Sequence, residues 1–308
     1  MSKQPVILCP GQGAQHVGMG KAWFQASTDA AQTFNEADEI LGDRLNAKLS
    51  ELCFEGPEDR LNRTDVTQPA LFVAGVASFR ALFSSADPTS FSAIAGLSLG
   101  EYTALHLAGA ISFADALEVV ALRGKAMQEA AEATESGMVA LIGADEKQVQ
   151  ELCDRAGGDD VLVPANFNAP GQIVISGSQS ACNRAVETAS EMGLRATPLK
   201  VAGAFHSPIM QPAADQLGEA LAKVELQNPK CPVLSNVTAE PHPSDPAEIR
   251  ELLVAQLTKP VRWAQSAASL AETHHGAEFH ELAPGKVLAG LMRRTHRETK
   301  VQPHGEPA

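Results

Sequence analysis

Positive charge is what this sequence has least of. Its 24 lysines and arginines face 37 aspartates and glutamates, a formal net charge of −13 over 308 residues. Nucleic acid is therefore not expected as the main partner, because phosphate binding needs a basic footprint, although a local basic patch stays compatible with the total. No apolar run approaches the roughly 20 residues of a membrane span, so no membrane association is expected. The chain opens Met1-Ser2-Lys3-Gln4-Pro5 and enters a short apolar run, Val6-Ile7-Leu8-Cys9, which Pro10-Gly11 ends too soon for a signal peptide. The five cysteines, Cys9, Cys53, Cys153, Cys182 and Cys231, are scattered, odd in number and without a C-x-x-C pair. That spacing argues against a zinc site or a disulfide frame, and for buried thiols in a reducing cytoplasm.

What is present is a G-x-S-x-G set, Gly96-Leu97-Ser98-Leu99-Gly100, with the flanks that make such a set useful. A short apolar stretch of strand length, Phe91-Ser92-Ala93-Ile94-Ala95, precedes it, and the helix-forming Glu101-Tyr102-Thr103-Ala104-Leu105-His106-Leu107-Ala108 follows. A serine on a sharp strand-to-helix turn is held clear of the backbone, and its neighbours must be small because the turn packs tightly. The helix start also offers unpaired N–H groups where an oxyanion would form. By itself the motif marks an acyl nucleophile or a tight turn.

A chain of this length accommodates one large α/β domain carrying a smaller one. The N-terminal part reads as strand, glycine turn and helix up to Leu41-Gly42, then helix through Gln68-Pro69-Ala70 and Leu71 to Leu82. A strand at Phe91 and one long helix from Glu101 to about Ala133 follow. Alternating strand and helix favours a parallel sheet covered by helices. From residue 137 the texture changes: strands at 138–143, 161–163, 172–177 and 195–201, and helices at 145–156 and 180–192, with Asp145 placed as a cap. This β-α-β-β-α-β order is the split βαβ of ferredoxin-like modules. The expected organisation is therefore an α/β-hydrolase-like parallel-sheet core formed by residues 1–136 and 202–308, with an inserted ferredoxin-like domain at 137–201. A strand at 232–236 and a helix at 248–257 belong to the large domain, there is no internal repeat, and residues after Val301 read as a loose tail.

A serine nucleophile needs a base and donors for the oxyanion. Most of the nine histidines read as structural or solvated: His242 in a proline loop, His274-His275 in a polar segment, His296 and His304 near the end. His206 differs. It follows the small residues Gly203-Ala204 and Phe205 at the junction of the two domains, where clefts form. Gly11-Gln12-Gly13-Ala14-Gln15 is a second glycine turn between strand and helix. It lacks the G-K-[ST] ending of a phosphate loop, and its N–H groups face the same oxyanion if it lies beside Ser98. Arg123 sits in a predominantly apolar helix, where it either faces solvent or, if buried, must meet an anion. The sequence leaves both open.

Together these pieces resemble the malonyl-CoA:acyl carrier protein transacylases and the related acyltransferase domains of polyketide synthases. The likeness runs in order through Pro10-Gly11-Gln12-Gly13-Ala14-Gln15, Gly18-Met19-Gly20, Thr67-Gln68-Pro69-Ala70 and Gly96-Leu97-Ser98-Leu99-Gly100-Glu101-Tyr102. It continues through Arg123-Gly124-Lys125-Ala126-Met127-Gln128, Asn166-Phe167-Asn168-Ala169-Pro170-Gly171-Gln172, Gly203-Ala204-Phe205-His206-Ser207 and Pro284-Gly285-Lys286-Val287-Leu288.

The resemblance implies that Ser98 is the nucleophile, His206 its base and later the acid, and the Gln12 and Leu99 N–H groups the oxyanion hole. Arg123 would hold the malonyl carboxylate, Asn166 would lie near the substrate, and Phe205 would crowd an α-methyl group. It further implies that a main-chain carbonyl orients the histidine, at the position matched to Arg262. Malonyl-CoA is then a substrate and acyl carrier protein the partner, with no cofactor, no metal, a cytoplasmic location and a monomeric state. Leu97 departs from the pattern, where many members have histidine. A polyketide-type acyltransferase and a serine esterase or thioesterase are the alternatives, the latter weakened because no Asp or Glu is placed for a hydrolase triad. Lys259, Arg262, Lys286, Arg293, Arg294 and Arg297 make the C-terminal quarter either a carrier-docking area or a solvated face.

Overall fold

The computed structural model describes residues 4–84 and 86–307. Among them nine strands occur: β1 (Val6–Cys9), β2 (Ala93–Gly96), β3 (Ser136–Ile142), β4 (Leu162–Ala169), β5 (Gln172–Ser178), β6 (Arg195–Pro198), β7 (Val233–Leu234), β8 (Phe279–Glu281) and β9 (Val301–Pro303). Five of them form a parallel sheet in the order β7-β2-β1-β8-β9. At its centre β1 is apolar throughout, as a strand covered on both faces must be. Ile7 and Cys9 enter the core under the helices Thr64–Leu82 and Phe113–Ala133, while Val6 and Leu8 enter the core under Trp263–Thr273 and Val287–Thr295. Alternation along one strand thus joins two cores, and helices cover both faces of the sheet.

The smaller unit is a four-stranded antiparallel sheet in the order β4-β5-β3-β6. The helices Glu146–Gly157 and Gln179–Glu191 pack on it around a core of their own. Asp145 caps the first of these helices in a capping box with Gln148. The unit's last strand, β6, ends at Pro198, and Leu199–Ala202 leave the sheet to line the cavity described below. Two backbone bonds tie β4 to the large domain: Val261 N–H to Ala165 O at 2.8 Å and Phe167 N–H to Val261 O at 2.9 Å.

Three local expectations are corrected. The helix expected from Glu101 to Ala133 is two helices, Gly100–Leu107 and Phe113–Ala133. Gly109 turns left-handed (φ 77°) and Ser112 caps the second, its Oγ accepting from Asp115 N–H at 3.0 Å. The helical region expected before Gly42 is a long turn followed by the helices Lys21–Ala26 and Thr28–Leu41, parted at Ser27. The expected loose tail is docked: β9 pairs with β8, and Trp23 Nε1–H donates to His304 O at 3.1 Å. A strand of three residues exists only because β8 offers it an edge; Ala308 lies outside the described residues. Among the described residues no helix is long and apolar enough to cross a membrane.

Candidate active site

The carboxyl ends of β1 and β2 lie side by side, Cys9 level with Gly96, so the turn after each strand opens into the same crevice. Glycine is needed there for close approach. A Cβ on Gly96 would strike the Gly100 carbonyl, one on Gly100 the Cys9 carbonyl, and one on Gly11 the Leu97 carbonyl. Between the two elbow glycines, Ser98 takes a left-handed φ of 52°, a strain on the order of 1 kcal/mol. Asn236, just beyond β7, holds it: Asn236 Oδ1 accepts from Ser98 N–H at 2.5 Å and its Nδ2 donates to Gly96 O at 2.7 Å. With the Ser98 N–H taken, the next donor at the helix start is the Leu99 N–H. No group among the described residues pairs with it or with the Gln12 N–H on the neighbouring turn.

His206 stands opposite, also at a left-handed φ of 56°, with Nε2 2.9 Å from Ser98 Oγ. Its Nδ1 lies 2.7 Å from the main-chain oxygen of Gln256, and a carbonyl only accepts. The proton therefore sits on Nδ1, and Nε2 is a lone pair aimed at the serine hydroxyl. Gln256 follows the helix Pro246–Ala255, so this carbonyl belongs to a helix C-terminus, whose partial negative charge favours an imidazolium as it forms. Burial, with the Arg123 charge adding to it, pushes His206 down to about 4, which keeps it neutral near pH 7 with the Nε2 lone pair free to take a proton.

The structure corrects the sequence reading at Arg262, whose carbonyl does not meet the histidine. That oxygen accepts from Ser266 N–H in its own helix at 3.1 Å, while the Arg262 N–H donates to Asn236 O at 2.9 Å. Arg262 therefore buttresses Asn236, and the orienting carbonyl is that of Gln256.

Arg123 is buried, 1% exposed. Its helix packs close to Thr64–Leu82 because Gly124 leaves no side chain between them, where a Cβ would press on the Thr64 carbonyl. Its guanidinium donates to Gln68 Oε1 at 2.5 Å, to Gln256 Oε1 at 2.8 Å and to Ser98 Oγ at 3.2 Å, and lies 5.3 Å from the centre of the Tyr102 ring. All of these partners are neutral. A buried cation bonded to amides and a hydroxyl is a site for an incoming anion.

The crevice is a cavity of about 800 Å³ whose walls include Gln12, Leu97, Ser98, Asn166, Phe205 and His206. Asn166 reaches it from a bulge in β4, opposite Val174. Sequence reading missed four residues that build the centre. Gln68 and Glu101 lay inside quoted motifs without a role, whereas Asn236 and Gln256 carry no local signal and arrive only through the fold. Among the described residues no group of three or more His, Cys, Asp or Glu is placed to hold a metal ion.

The acyl transferase domain, as a family pattern, matches residues 6–305. The chain belongs to the acyl transferase family. The malonyl CoA-acyl carrier protein transacylase of Bacillus subtilis (strain 168) is 41% identical over 303 residues, 98% of this chain and 93% of that protein. The solved malonyl-CoA:acyl carrier protein transacylase of Xanthomonas oryzae pv. oryzae superposes with a TM-score of 0.92 at 42% identity, covering 100% of this chain and 96% of its own. A structure of a type II PKS acyl-carrier protein in complex with its malonyl-transacylase gives a TM-score of 0.92 at 37% identity, covering 99% and 96% of the two chains. In this acyl transferase the hydroxyl, the neutral imidazole and the two N–H donors suit attack on an acyl carbonyl. The buried guanidinium suits an acyl group that ends in a carboxylate.

Proposed function

We propose that this chain moves a malonyl group from malonyl-CoA to the phosphopantetheine thiol of an acyl carrier protein, through a malonyl ester on Ser98. The observation that carries the reading is the Arg123 guanidinium, buried without a carboxylate partner among the described residues and 3.2 Å from Ser98 Oγ. Ser98 Oγ attacks the thioester carbonyl as His206 Nε2 takes its proton, and the Gln12 and Leu99 N–H groups receive the oxyanion. Collapse breaks the C–S bond, and the imidazolium returns the proton to the departing CoA thiolate. In the second half His206 deprotonates the carrier thiol, which attacks the ester carbonyl, and Ser98 leaves with the proton. Thioester and oxygen ester are close in energy, so the route runs both ways while water is kept out. Both halves are substitutions at a carbonyl that balance without an electron carrier or a metal, so no cofactor is proposed.

The acceptor we propose is the carrier protein of fatty acid synthesis, in the cytoplasm, with the enzyme acting as a monomer. Five buried free cysteines support a reducing compartment, and a centre assembled within one chain supports the monomer. Docking is proposed at the exposed Lys286, Arg293, Arg294 and Arg297, of which Lys286 adjoins Val287 on the cavity wall. Charge reversal at these four positions should raise the KM for carrier protein and leave that for malonyl-CoA unchanged.

The deciding experiment is intact mass after mixing with malonyl-CoA. A single malonyl adduct on Ser98 should persist alone and be discharged by fatty acid carrier protein. Steady release of free malonate without an acceptor would make the chain a hydrolase, and discharge only by a polyketide carrier would move it to that synthesis.

A further inference from the structure

Among the described residues the acyl-transfer steps leave two fully buried carboxylates unused: Glu281, which caps the Val287–Thr295 helix, and Glu101 beside the reacting centre. Glu101, at the start of the Gly100–Leu107 helix, is 0% exposed. Its Oε1 lies 2.6 Å from His242 Nε2, and its Oε2 accepts from Asn236 N–H at 3.1 Å and from Gln256 Nε2 at 2.6 Å. Those last two partners each reach the reacting centre by other atoms. Asn236 Oδ1 holds the Ser98 N–H. Gln256 holds three groups at once: Arg123 through its side-chain oxygen, Ser98 O through Nε2 at 3.0 Å, and His206 through its main-chain oxygen. One carboxylate therefore stands a single residue away from the nucleophile, the base and the anion-binding cation.

A carboxylate in such a place is costly to bury, and apolar packing of the same volume is often no less stable. The arrangement also separates two charges. A direct Arg123–Glu101 ion pair would satisfy both groups and cancel the charge offered to a substrate. Instead the Gln256 amide lies between them, its oxygen toward the cation and its N–H toward the anion. His242 completes the carboxylate's shell; its Nδ1 is buried without a partner, which fits a proton held on Nε2 against Glu101.

We propose that Glu101 is a positioning residue for acyl transfer: braced by His242, it fixes Asn236 and Gln256, and through them Ser98, His206 and Arg123. The Gln256 amide keeps the two buried charges apart so that Arg123 stays available to the substrate's carboxylate. This rests on the malonyl-transfer reading. Steady-state kinetics with malonyl-CoA and acetyl-CoA on the whole enzyme tests it, with folding checked by circular dichroism. Glu101→Ala should lower kcat about 100-fold, the scale of a small misplacement of reacting groups. Glu101→Gln can still accept from Asn236 and Gln256 with its oxygen and meet His242 with its NH2 once that ring changes tautomer. It should recover kcat to within about 10-fold of wild type, as a preserved geometry requires. Gln256→Leu keeps the main-chain oxygen on His206 but lets Arg123 turn to Glu101. The malonyl-over-acetyl ratio of kcat/KM should then fall at least about 10-fold, the worth of one charge-assisted hydrogen bond.

Folded Glu101→Ala with wild-type kcat, Glu101→Gln as impaired as Glu101→Ala, or Gln256→Leu with an unchanged ratio would each overturn the role. Should Glu101→Ala not fold, the Gln256→Leu ratio decides alone. Wild-type enzyme that fails to transfer malonyl would refute the function itself, whereas a selective wild type with unaffected variants refutes only the role of Glu101.

Discussion

Arg123 and His206 set the chemistry residue by residue, and each makes a prediction. Removing the guanidinium in Arg123→Ala takes away a charge-assisted contact worth about 1.5–3 kcal/mol, so the preference for malonyl over acetyl should drop roughly 10- to 150-fold while acetyl transfer continues. Arg123→Lys should not restore it, because an ammonium lacks the planar fork. Unchanged selectivity in competition assays would sink the assignment. Arg123→Ala should also lower the melting temperature, since it empties a fully buried volume and leaves the Gln68 and Gln256 side-chain oxygens without their donor. For His206, pushed down to about 4 by burial, activity should stay flat as pH falls from 7 to about 5 and be lost through an acid limb near 4, read from kcat/KM. The linkage has the same sign. The unfolded imidazole takes its proton near 6.5 and the folded one only near 4. The stability it contributes is full above 6.5 and is lost as pH falls between those values. His106, likewise pushed down to about 4, adds a similar slope, so wild type should be compared with His206→Gln in pH-dependent melts. Ser98 and His206 stood out in the sequence by their local settings, and the family resemblance gave them and Arg123 their roles. The carbonyl behind His206 and the amide partners of Arg123 were not legible.

At the scale of elements, the site is two turns pressed together. Gly11 follows β1, Leu97 follows β2, and no room exists for a methyl group between them. Gly11→Ala should therefore part the turns that carry the Gln12 and Leu99 donors and lower kcat by roughly 10²–10³, the loss expected for a missing oxyanion donor. KM for malonyl-CoA should change less, and a folded variant with normal kcat would contradict the geometry. The strand–turn–helix around Ser98 was readable because hydrophobic run, small residues and helix formers follow one another within a dozen positions. The carbonyl behind His206 was misplaced for the opposite reason. Gln256 and Arg262 flank the same loop, both carbonyls are chemically alike, and only the helix that consumes the Arg262 oxygen separates them. The long helix from Glu101 was split for a similar cause, since Gly109 and Ser112 are weak punctuation until the chain reverses there.

Across the whole molecule, the C-terminus closes the parallel sheet that the N-terminus begins. Deleting residues 301–308 removes β9, uncovers the edge of β8 and breaks the Trp23–His304 bond. A loss of about 2 kcal/mol is expected from those hydrogen bonds and the Val301 packing, which for a chain of 308 residues lowers Tm by about 3 °C. The exposed edge should also favour self-association. An unchanged melting temperature would mean the segment is the loose tail its polar sequence suggests. The alternation of strand and helix and the change of texture near residue 137 were enough to expect an α/β chain with an inserted antiparallel unit, and the family resemblance carried by the motifs added the serine–histidine–arginine centre. Those are properties of neighbouring residues and of spacing. Tertiary structure alone decided that β9 is a strand, that Gln256 and not Arg262 orients the base, and that Asn236 and Glu101 hold the nucleophile's turn. The first depends on an edge strand 22 positions earlier, the second on which of two like carbonyls is already bonded, and the third on groups more than a hundred positions apart, and no local pattern encodes such choices.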